Sequence, residues 1–365
     1  MDPVSREAAE SEAGRLQGFF RSQGAELFNT EILQPADILL DLYGEDIRSR
    51  SYVTADSVQG ELMLRPDFTV PLVKFHMERH AAAAAYTYCG PVFRKQWPGS
   101  DRARENLQVG YEVFGGADSA AADAGLYSIF HNALSGLDLT SATGDLGILI
   151  AAIDGLRTDA GRKEALKRHL WRPERFRSLL EQFSSQTATA RWPKIDPDDL
   201  EDRIRDAGPV IGTRSIAEVA ARIRRIAEDE HLPPISAEEI AAIEDILLLK
   251  GRSEDVLVRL RGIADRHGHI GSAVDRFEAR LDELAKRGIE AAGLWFEASY
   301  GRTSLEYYDG FVFGFFRSGD ELPVALGGRY DMLTRELGDG RWCPAVGGVV
   351  RPELTASLAK AGAGC

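Results

Sequence analysis

Strand-like segments lie near both ends of the sequence, and a long helical pattern separates them. The apolar runs typical of strands are 61–64, 86–89, 107–114, 293–298, 305–316 and 323–328. The runs near the C-terminal end are aromatic and β-branched, with Gly and Asp between them as turn residues. A sheet built from both ends of a chain, with helices among its strands, is typical of an α+β fold whose sheet is largely antiparallel. The pattern therefore predicts a core that is discontinuous in sequence.

The middle of the chain is polar, rich in Glu, Arg, Ala and Leu, and periodic at 3.6 residues in several places. Its clearest helix begins at Ser236, with Glu239 at the capping-box spacing. An apolar face follows, formed by Ile240, Ile243, Ile246, Leu247 and Leu248. Gly251 is expected to end this helix in a left-handed conformation, and a second helix is expected over 274–287. We predict a core of residues 1–158 and 290–365 and a helical insertion domain of residues 159–289.

Composition narrows the possible functions. The 365 residues include 44 Lys and Arg against 57 Asp and Glu, a formal charge of −13, which disfavours binding to nucleic acid and to anionic membranes. The most apolar tract, 81–86, is far shorter than a membrane helix requires, and the first twenty residues lack a secretory signal. Cys89, Cys343 and Cys365 are odd in number and widely spaced, so we expect reduced thiols. A cytoplasmic protein is predicted.

Common templates for metal and nucleotide chemistry are not met. His76 and His80 are one helical turn apart but lack the sequence of a zinc protease helix, and His267 and His269 flank a single glycine. Phosphate-loop, dinucleotide-binding and nucleophile-elbow motifs do not occur. We expect neither a metal nor a cofactor.

One strand carries polar residues on a single face. Because side chains alternate along a strand, Gln108, Gly110 and Glu112 share one face of the run 107–114. A carboxylate, an amide and a glycine form a small polar floor that a ligand can occupy. A face exposed to solvent is the alternative.

These residues belong to an ordered set of motifs that resembles the class II synthetase core of histidyl-tRNA synthetase. The motifs are Pro35, Arg65-Pro-Asp-Phe-Thr-Val-Pro71, Phe93-Arg94, Gln108-x-Gly-x-Glu-Val-Phe-Gly115, Leu305-Glu-Tyr-Tyr308 and Gly327-Gly-Arg-Tyr-Asp331. The resemblance covers roughly residues 15–155 and 290–355. It implies a mainly antiparallel sheet flanked by helices.

The resemblance also implies a histidine site. The residues that would bind histidine are Asp67, Thr69, Arg94, Gln108, Glu112, Tyr307 and Tyr308. Asp67, Thr69 and Gln108 would face the α-amino group. Arg94 would face the carboxylate, and Glu112 with the two tyrosines would face the imidazole. Asp67 is one methylene shorter than the glutamate of the synthetases.

The residues that handle ATP in those enzymes are changed. Gln96 stands where a glutamate reads adenine, and Thr303 and Leu354 stand where arginines bind the reacting carboxyl and phosphate groups. Arg351 lies three residues before the second of these positions. Loss of two guanidinium groups would weaken transition-state stabilisation by several kcal/mol, on the order of 10³-fold in rate. We expect aminoacylation activity to be lost, and the sequence ends without an anticodon-binding domain, which disfavours tRNA as a partner.

The chain retains the residues that bind the amino acid but has lost those that bind phosphate. In this combination it resembles the ATP phosphoribosyltransferase regulatory subunits, which are catalytically silent synthetase paralogues. This resemblance implies a complex with the short-form catalytic subunit, feedback inhibition by L-histidine, and a homodimer within a hetero-oligomer. The helix expected before Pro35 and the strand expected after it would form the dimer contact through Leu33, Ile38, Leu39, Leu40 and Leu42. Plain core packing of those residues is the alternative.

Two other functions stay open at this point. One is a synthetase-like enzyme that activates histidine and loads a carrier other than tRNA. The other is an inert scaffold in which Arg94 and Glu112 pair as buried charges.

Overall fold

A computed structural model describes residues 5–43, 46–79, 83–97, 99–100, 102–185, 199–208, 215–229, 232–302, 307–320 and 322–362. Contacts divide the chain into two compact units. The first combines Met1–Ala151 with Ile246–Cys365, and the second is Ala152–Asp245. The domain limits expected from the sequence, with an insertion of 159–289, stay a prediction. By its contacts, the helical segment from 246 to 289 belongs to the first unit.

Twelve strands are described, all in the first unit. They are β1 (Glu26–Leu27), β2 (Leu33–Pro35), β3 (Val53–Asp56), β4 (Gly60–Leu64), β5 (Ala84–Phe93), β6 (Glu105–Phe114), β7 (Thr140–Asp145), β8 (Lys250–Arg252), β9 (Trp295–Glu297), β10 (Phe311–Phe316), β11 (Ala325–Arg329) and β12 (Ala345–Val350). Nine form one sheet in the order β1-β5-β6-β12-β11-β10-β7-β9-β8, and β2-β4-β3 form a second. Within the described large sheet, only the β1–β5 and β7–β9 pairings are parallel. The predicted α+β fold with a mainly antiparallel sheet is confirmed.

The helices flank this sheet and also build the second unit. They are α1 (Arg6–Ser22), α2 (Ala36–Tyr43), α3 (Asp46–Arg50), α4 (Thr69–Arg79), α5 (Ser119–Ala133), α6 (Leu146–Asp154), α7 (Ala160–Arg168), α8 (Pro173–Ser184), α9 (Leu200–Asp206), α10 (Ile216–Asp229), α11 (Ala237–Leu247), α12 (Ser253–Arg266), α13 (Gly271–Lys286), α14 (Asp331–Leu337) and α15 (Pro352–Gly362). Among the helices described, none combines the length and the apolar character needed to cross a membrane.

The large sheet is buried on both faces. On one face, Tyr111 of β6 packs against Phe20 of α1, with ring centroids 5.4 Å apart, and Phe20 in turn packs against Phe130 of α5. On the other face, Tyr88 and Phe114 join a second apolar cluster with residues of α2 and α4. Gln108 and Glu112 of β6 therefore point into the interior of the first unit, so the alternative of a solvent-exposed face is wrong.

The second unit has its own small core. Phe176, Leu179 and Phe183 of α8 are buried. Arg162 of α7 is also buried, and it donates hydrogen bonds to the Asp229 side chain and to the carbonyl oxygen of Pro233 at 2.8 Å. With a third hydrogen bond, from Nη2 to the Asp229 carbonyl oxygen at 2.8 Å, this buried guanidinium fixes the end of α10 against α7.

The predicted capping box is confirmed at the start of α11. Ser236 N donates to Glu239 Oε2 at 3.2 Å, and Glu239 N donates to Ser236 Oγ at 3.2 Å. The predicted end of this helix is wrong. The helix stops at Leu247, and Gly251 lies in β8, because the chain leaves the helix to pair with β9. Leu248 is therefore 72% exposed and does not join the apolar face.

The segment around Pro35 also differs from the sequence prediction. Pro35 ends strand β2, and helix α2 follows it, so the order of strand and helix is reversed. Leu33 is 41% exposed, whereas Leu39 is buried. Leu40 and Leu42 are partly buried, and the side chain of Ile38 lies outside the described part. The dimer contact stays a prediction.

Candidate functional site

Glu112 is the centre of the polar site. It lies on β6 and is 1% exposed. Its Oε1 accepts hydrogen bonds from Tyr88 Oη at 2.9 Å and Thr69 Oγ1 at 3.1 Å, and its Oε2 accepts one from Tyr330 Oη at 2.6 Å. Three hydroxyl donors from β5, α4 and the end of β11 thus meet one carboxylate.

Burial dominates the electrostatics of Glu112. Removal from water raises the pKa of its carboxyl to about 7, even though the hydrogen bonds from Tyr330, Tyr88 and Thr69 lower it. The nearby Asp67 adds to the rise. Glu112 can therefore change its protonation state near neutral pH when a ligand supplies or removes a donor.

The ring of Tyr88 occupies space that only glycine leaves open. Gly110 lies opposite Tyr88 in the β5–β6 ladder, and a Cβ built on Gly110 would lie 2.1 Å from Tyr88 Cζ. The same ring stacks on Phe68 with centroids 4.3 Å apart. This packing holds the Tyr88 hydroxyl against Glu112.

Asp67 and Thr69 lie where the chain passes from β4 into α4. Asp67 Oδ1 accepts a hydrogen bond from Val70 N at 3.2 Å, which satisfies a backbone donor in the first turn of α4. Burial raises the pKa of the Asp67 carboxyl, and its hydrogen bond from Val70 and the positive charge of Arg94 act in the opposite direction. Asp67 thus has a structural role. It also lies close to Arg94, the residue predicted to bind the carboxylate of histidine.

Gln108 and Arg94 border the site at the other end of β6. Gln108 is 5% exposed, and its Oε1 has no hydrogen-bond partner. Arg94 is partly buried and donates from Nε to the carbonyl oxygen of Pro66 at 3.1 Å. A buried acceptor without a donor costs free energy, so the Gln108 carbonyl is suited to receive one from a ligand.

The two predicted tyrosines differ in their placement. Tyr307 Oη donates to Thr69 Oγ1 at 3.4 Å, which places Tyr307 at the site. Tyr308 is buried beside it, with ring centroids 4.9 Å apart, in the apolar cluster that also contains Tyr88 and Tyr330. Burial raises the pKa of both phenols, so both stay protonated at neutral pH.

The structure brings all seven predicted residues to one region of the first unit. Sequence reasoning missed Tyr88 and Tyr330, although both stand within segments that it singled out. The signal for Tyr88 is an aromatic residue on one strand opposite a glycine on the next. It could not be used from the sequence, because the register that places Tyr88 opposite Gly110 depends on the fold. The alternative of a buried Arg94–Glu112 ion pair is wrong: in the described part of the chain, Glu112 accepts only from hydroxyl groups.

The positions changed relative to the synthetases supply no cation here. Gln96 Nε2 donates to the carbonyl oxygen of Ala103 at 3.3 Å, and Leu354 packs against the apolar cluster on the opposite face of the sheet. Thr303 lies outside the described residues, as do His80 and Cys365. Over the described ranges, no group of His, Cys, Asp and Glu side chains is arranged to hold a metal ion.

Sequence comparison identifies relatives along most of the chain. A profile of the histidyl-tRNA synthetase family matches residues 1–191 and 212–354. A protein from Allorhizobium ampelinum, named ATP phosphoribosyltransferase regulatory subunit, is 32% identical over 357 residues, covering 92% of this chain and 94% of that protein. A protein of the same name from Rhizobium rhizogenes is 31% identical, with the same coverage.

Solved structures share the fold. An ATP phosphoribosyltransferase regulatory subunit/histidyl-tRNA synthetase from Bacillus halodurans aligns with a TM-score of 0.69 at 18% identity, covering 98% of this chain and 81% of that one. A histidine–tRNA ligase subunit from Alicyclobacillus acidocaldarius aligns with a TM-score of 0.60 at 19% identity, covering 99% and 96%. The predicted class II synthetase-like core is confirmed.

Proposed function

The chain belongs to the ATP phosphoribosyltransferase regulatory subunits, a non-catalytic, histidyl-tRNA synthetase-like family of histidine biosynthesis, and on this premise we propose that its site binds L-histidine and controls a catalytic partner by feedback. The relatives carry the name of a regulatory subunit, which by its meaning acts on a second protein. The finer claims, a histidine effector and its binding residues, are our proposal.

The observation that carries the proposal is the buried carboxylate of Glu112 within its ring of hydroxyl donors. A neutral imidazole has one N–H donor, and an ionised Glu112 is a strong acceptor for it in a site shielded from water. Tyr307 and Tyr308 would enclose the ring with apolar and hydroxyl surface. Glu112 thus supports recognition of the side chain that distinguishes histidine from other amino acids.

The remaining predicted ligands match the main-chain part of an amino acid. Arg94 would bind the carboxylate. Asp67 and Thr69 would accept hydrogen bonds from the ammonium group. The unpartnered Oε1 of Gln108 would accept the third hydrogen bond that this group can donate. A site with a carboxylate, a guanidinium and a side-chain acceptor has the groups needed for a free amino acid.

We propose the short-form catalytic ATP phosphoribosyltransferase subunit as the partner, in a hetero-oligomer that contains a homodimer of this chain. The exposed Leu33 supports an apolar contact at the segment expected to form that dimer. Inhibition requires that histidine bind the inhibited assembly more tightly than the active one, because equal affinity shifts no equilibrium. The predicted cytoplasmic location stays part of this proposal.

Calorimetric titration of the full chain with L-histidine, together with turnover of the catalytic subunit in the reconstituted complex, tests the proposal. We expect saturable binding and histidine-dependent inhibition, both lost in Glu112→Gln, because an amide cannot replace the charged acceptor. Glu254→Gln, at an exposed position on α12, is the control and should behave as the unmodified chain.

Absence of a complex with the catalytic subunit, or inhibition that survives Glu112→Gln, would reject the proposal. Pyrophosphate exchange driven by histidine and ATP tests the alternative of a histidine-activating enzyme. We expect no exchange, because the described site lacks the phosphate-binding arginines.

A further inference from the structure

Arg351 lies on the same face of the sheet as the predicted histidine ligands. In the β6–β12 ladder, Gly347 is opposite Glu112 and Val349 is opposite Gly110. Alternation along the strand therefore directs Arg351, the next residue of this series, to the same side and toward Gln108. Its backbone N–H donates to the carbonyl oxygen of Val324 at 2.9 Å, which continues the pairing of β12 with β11 by one residue.

The guanidinium of Arg351 is held at the site by a carbonyl oxygen rather than by a direct ion pair. The residue is partly buried, and its Nη1 donates to the carbonyl oxygen of Pro323. Arg94 likewise donates to a carbonyl oxygen, that of Pro66. In the described part of the chain, neither arginine forms an ion pair with a carboxylate. The nearby Glu353 accepts a hydrogen bond from Leu107 N through Oε1 at 2.7 Å, and its charge raises the pKa of Arg351 without a direct ion pair.

Arg351 remains charged at neutral pH. Burial lowers the pKa of Arg351 to about 10, and the positive charge of Arg94 contributes in the same direction. Two cations that repel each other, neither of them paired directly with a carboxylate, favour an anionic group that both can bind.

The formal charges of the site fit a zwitterion. Arg94 and Arg351 supply two positive charges, and Asp67 and Glu112 supply two negative charges when ionised. A ligand with one carboxylate and one ammonium leaves this balance unchanged. A phosphate dianion would instead bring two negative charges toward the two buried carboxylates. The buried Oε1 of Gln108, without a donor, lies beside these groups and is suited to the ammonium.

We propose that Arg351 is a carboxylate-binding and specificity-determining residue of this site, which acts with Arg94 to clamp the carboxylate of a zwitterionic amino acid. This inference rests on the proposed function, because it assumes that the same site takes histidine. Arg351 would thus select for an intact α-carboxylate and against decarboxylated analogues. A paired guanidinium grip is stronger and more directional than a single one.

The test compares L-histidine with histamine, which lacks the carboxylate, by calorimetric titration of the full chain. We expect the unmodified chain to prefer L-histidine. Arg351→Met should weaken L-histidine binding by about ten- to hundredfold, the range expected for a lost charge-assisted hydrogen bond, and leave histamine binding unchanged. Arg351→Lys keeps the charge but lacks the paired N–H donors of a guanidinium, so its affinity for L-histidine should be intermediate. Arg317→Met, at an arginine paired with Asp320, is the matched control.

The outcomes separate this inference from the proposed function. If the unmodified chain binds L-histidine and Arg351→Met binds it equally well, the inference fails and the proposed function stands. Equal weakening of L-histidine and histamine would show a structural role only, and it would also overturn the inference. If the unmodified chain binds neither ligand, both proposals fail. Inorganic phosphate that competes with L-histidine in the unmodified chain but not in Arg351→Met would assign the anion site to phosphate instead and contradict the carboxylate clamp.

Discussion

Gly347 and Glu112 lie opposite each other in the β6–β12 ladder, and their contact leaves no space for a side chain on Gly347. A Cβ built on Gly347 would lie 1.3 Å from Glu112 Oε2. The carboxylate thus occupies the volume that any other residue at this position would fill. The position of the Glu112 carboxylate therefore requires that residue 347 of β12 have no Cβ atom.

Gly347→Ala should therefore displace Glu112 and disrupt the site. We expect a loss of about 1–3 kcal/mol in the free energy of unfolding, the usual cost of overpacking a rigid interior, and loss of L-histidine binding. Urea unfolding and calorimetric titration measure the two effects. Gly125→Ala on α5 is the control, because a Cβ there meets no atom within 4 Å and alanine favours a helix by about 0.5–1 kcal/mol. A Gly347→Ala protein as stable as Gly125→Ala would refute the close approach.

Glu112 should make stability depend on pH in a defined direction. Its folded-state pKa of about 7 lies above the ordinary value of 4.5, so the native state holds this proton more tightly than the unfolded chain does. The contribution of Glu112 to stability is complete below about pH 4.5 and is lost as the pH rises through 7.

Glu112→Gln removes this titration. The free energy of unfolding of the unmodified chain, relative to the variant, should fall between pH 4.5 and 7, by at most about 3 kcal/mol. Asp309, whose pKa burial also raises to about 7, is present in both proteins, so its effect cancels in the difference. Urea unfolding at several pH values measures this difference, and a constant value across the range would contradict the burial of an ionisable Glu112.

The Tyr330 hydroxyl should matter most when Glu112 is ionised. Tyr330→Phe removes the donor to Glu112 Oε2 and leaves a buried anionic oxygen without that bond, at a cost of about 1–3 kcal/mol. The cost should be larger at pH 8 than at pH 5, where Glu112 is protonated. Tyr111→Phe is the control, because its hydroxyl donates to the Gln23 carbonyl on the other side of the sheet. An equal effect of Tyr330→Phe at both pH values would count against this assignment.

The sequence predicted which residues line the site better than it predicted the contacts among them. Alternation along one strand placed Gln108 and Glu112 on a common face, because the period of a strand is a local property. Local sequence does not specify register, so it could not show that Tyr88 fits under Gly110 or that Tyr330 reaches Glu112. Both depend on pairings between segments far apart in the chain.

Arg351 shows the same limit. In the sequence it is an arginine displaced by three residues from a family position, which suggests that it is unrelated to the site. In the structure, the strand that precedes it sets its direction, and that strand's pairing with β6 places Arg351 on the face of the sheet that carries Gln108 and Glu112. The end of α11 was misplaced for a related reason, because tertiary pairing with β9 overrides the helical preference of Leu248 and Leu249.

Arg280 is the final test, since it joins three elements through buried charges. Its Nη2 lies 2.7 Å from Asp145 Oδ2 of β7, and its Nη1 lies 3.3 Å from Asp123 Oδ2 of α5. Asp123 Oδ1 also lies 2.7 Å from Arg329 Nη2. Removing Arg280 leaves Asp145 buried without this cation, so Arg280→Met should lower the free energy of unfolding by about 3–5 kcal/mol. Arg261→Met, which breaks an exposed pair with Asp275, should cost under about 1 kcal/mol.

Urea unfolding of the double variant Arg280→Met/Asp145→Asn distinguishes charge from packing. Because the second substitution neutralises the stranded carboxylate, we expect the double variant to recover part of the stability lost in Arg280→Met. If instead the two losses simply add, the interaction between Arg280 and Asp145 contributes nothing beyond the space that the side chains fill. The position of α13 against the sheet would then depend on its apolar contacts alone, such as that of Phe277 with Phe296, whose ring centroids are 5.0 Å apart.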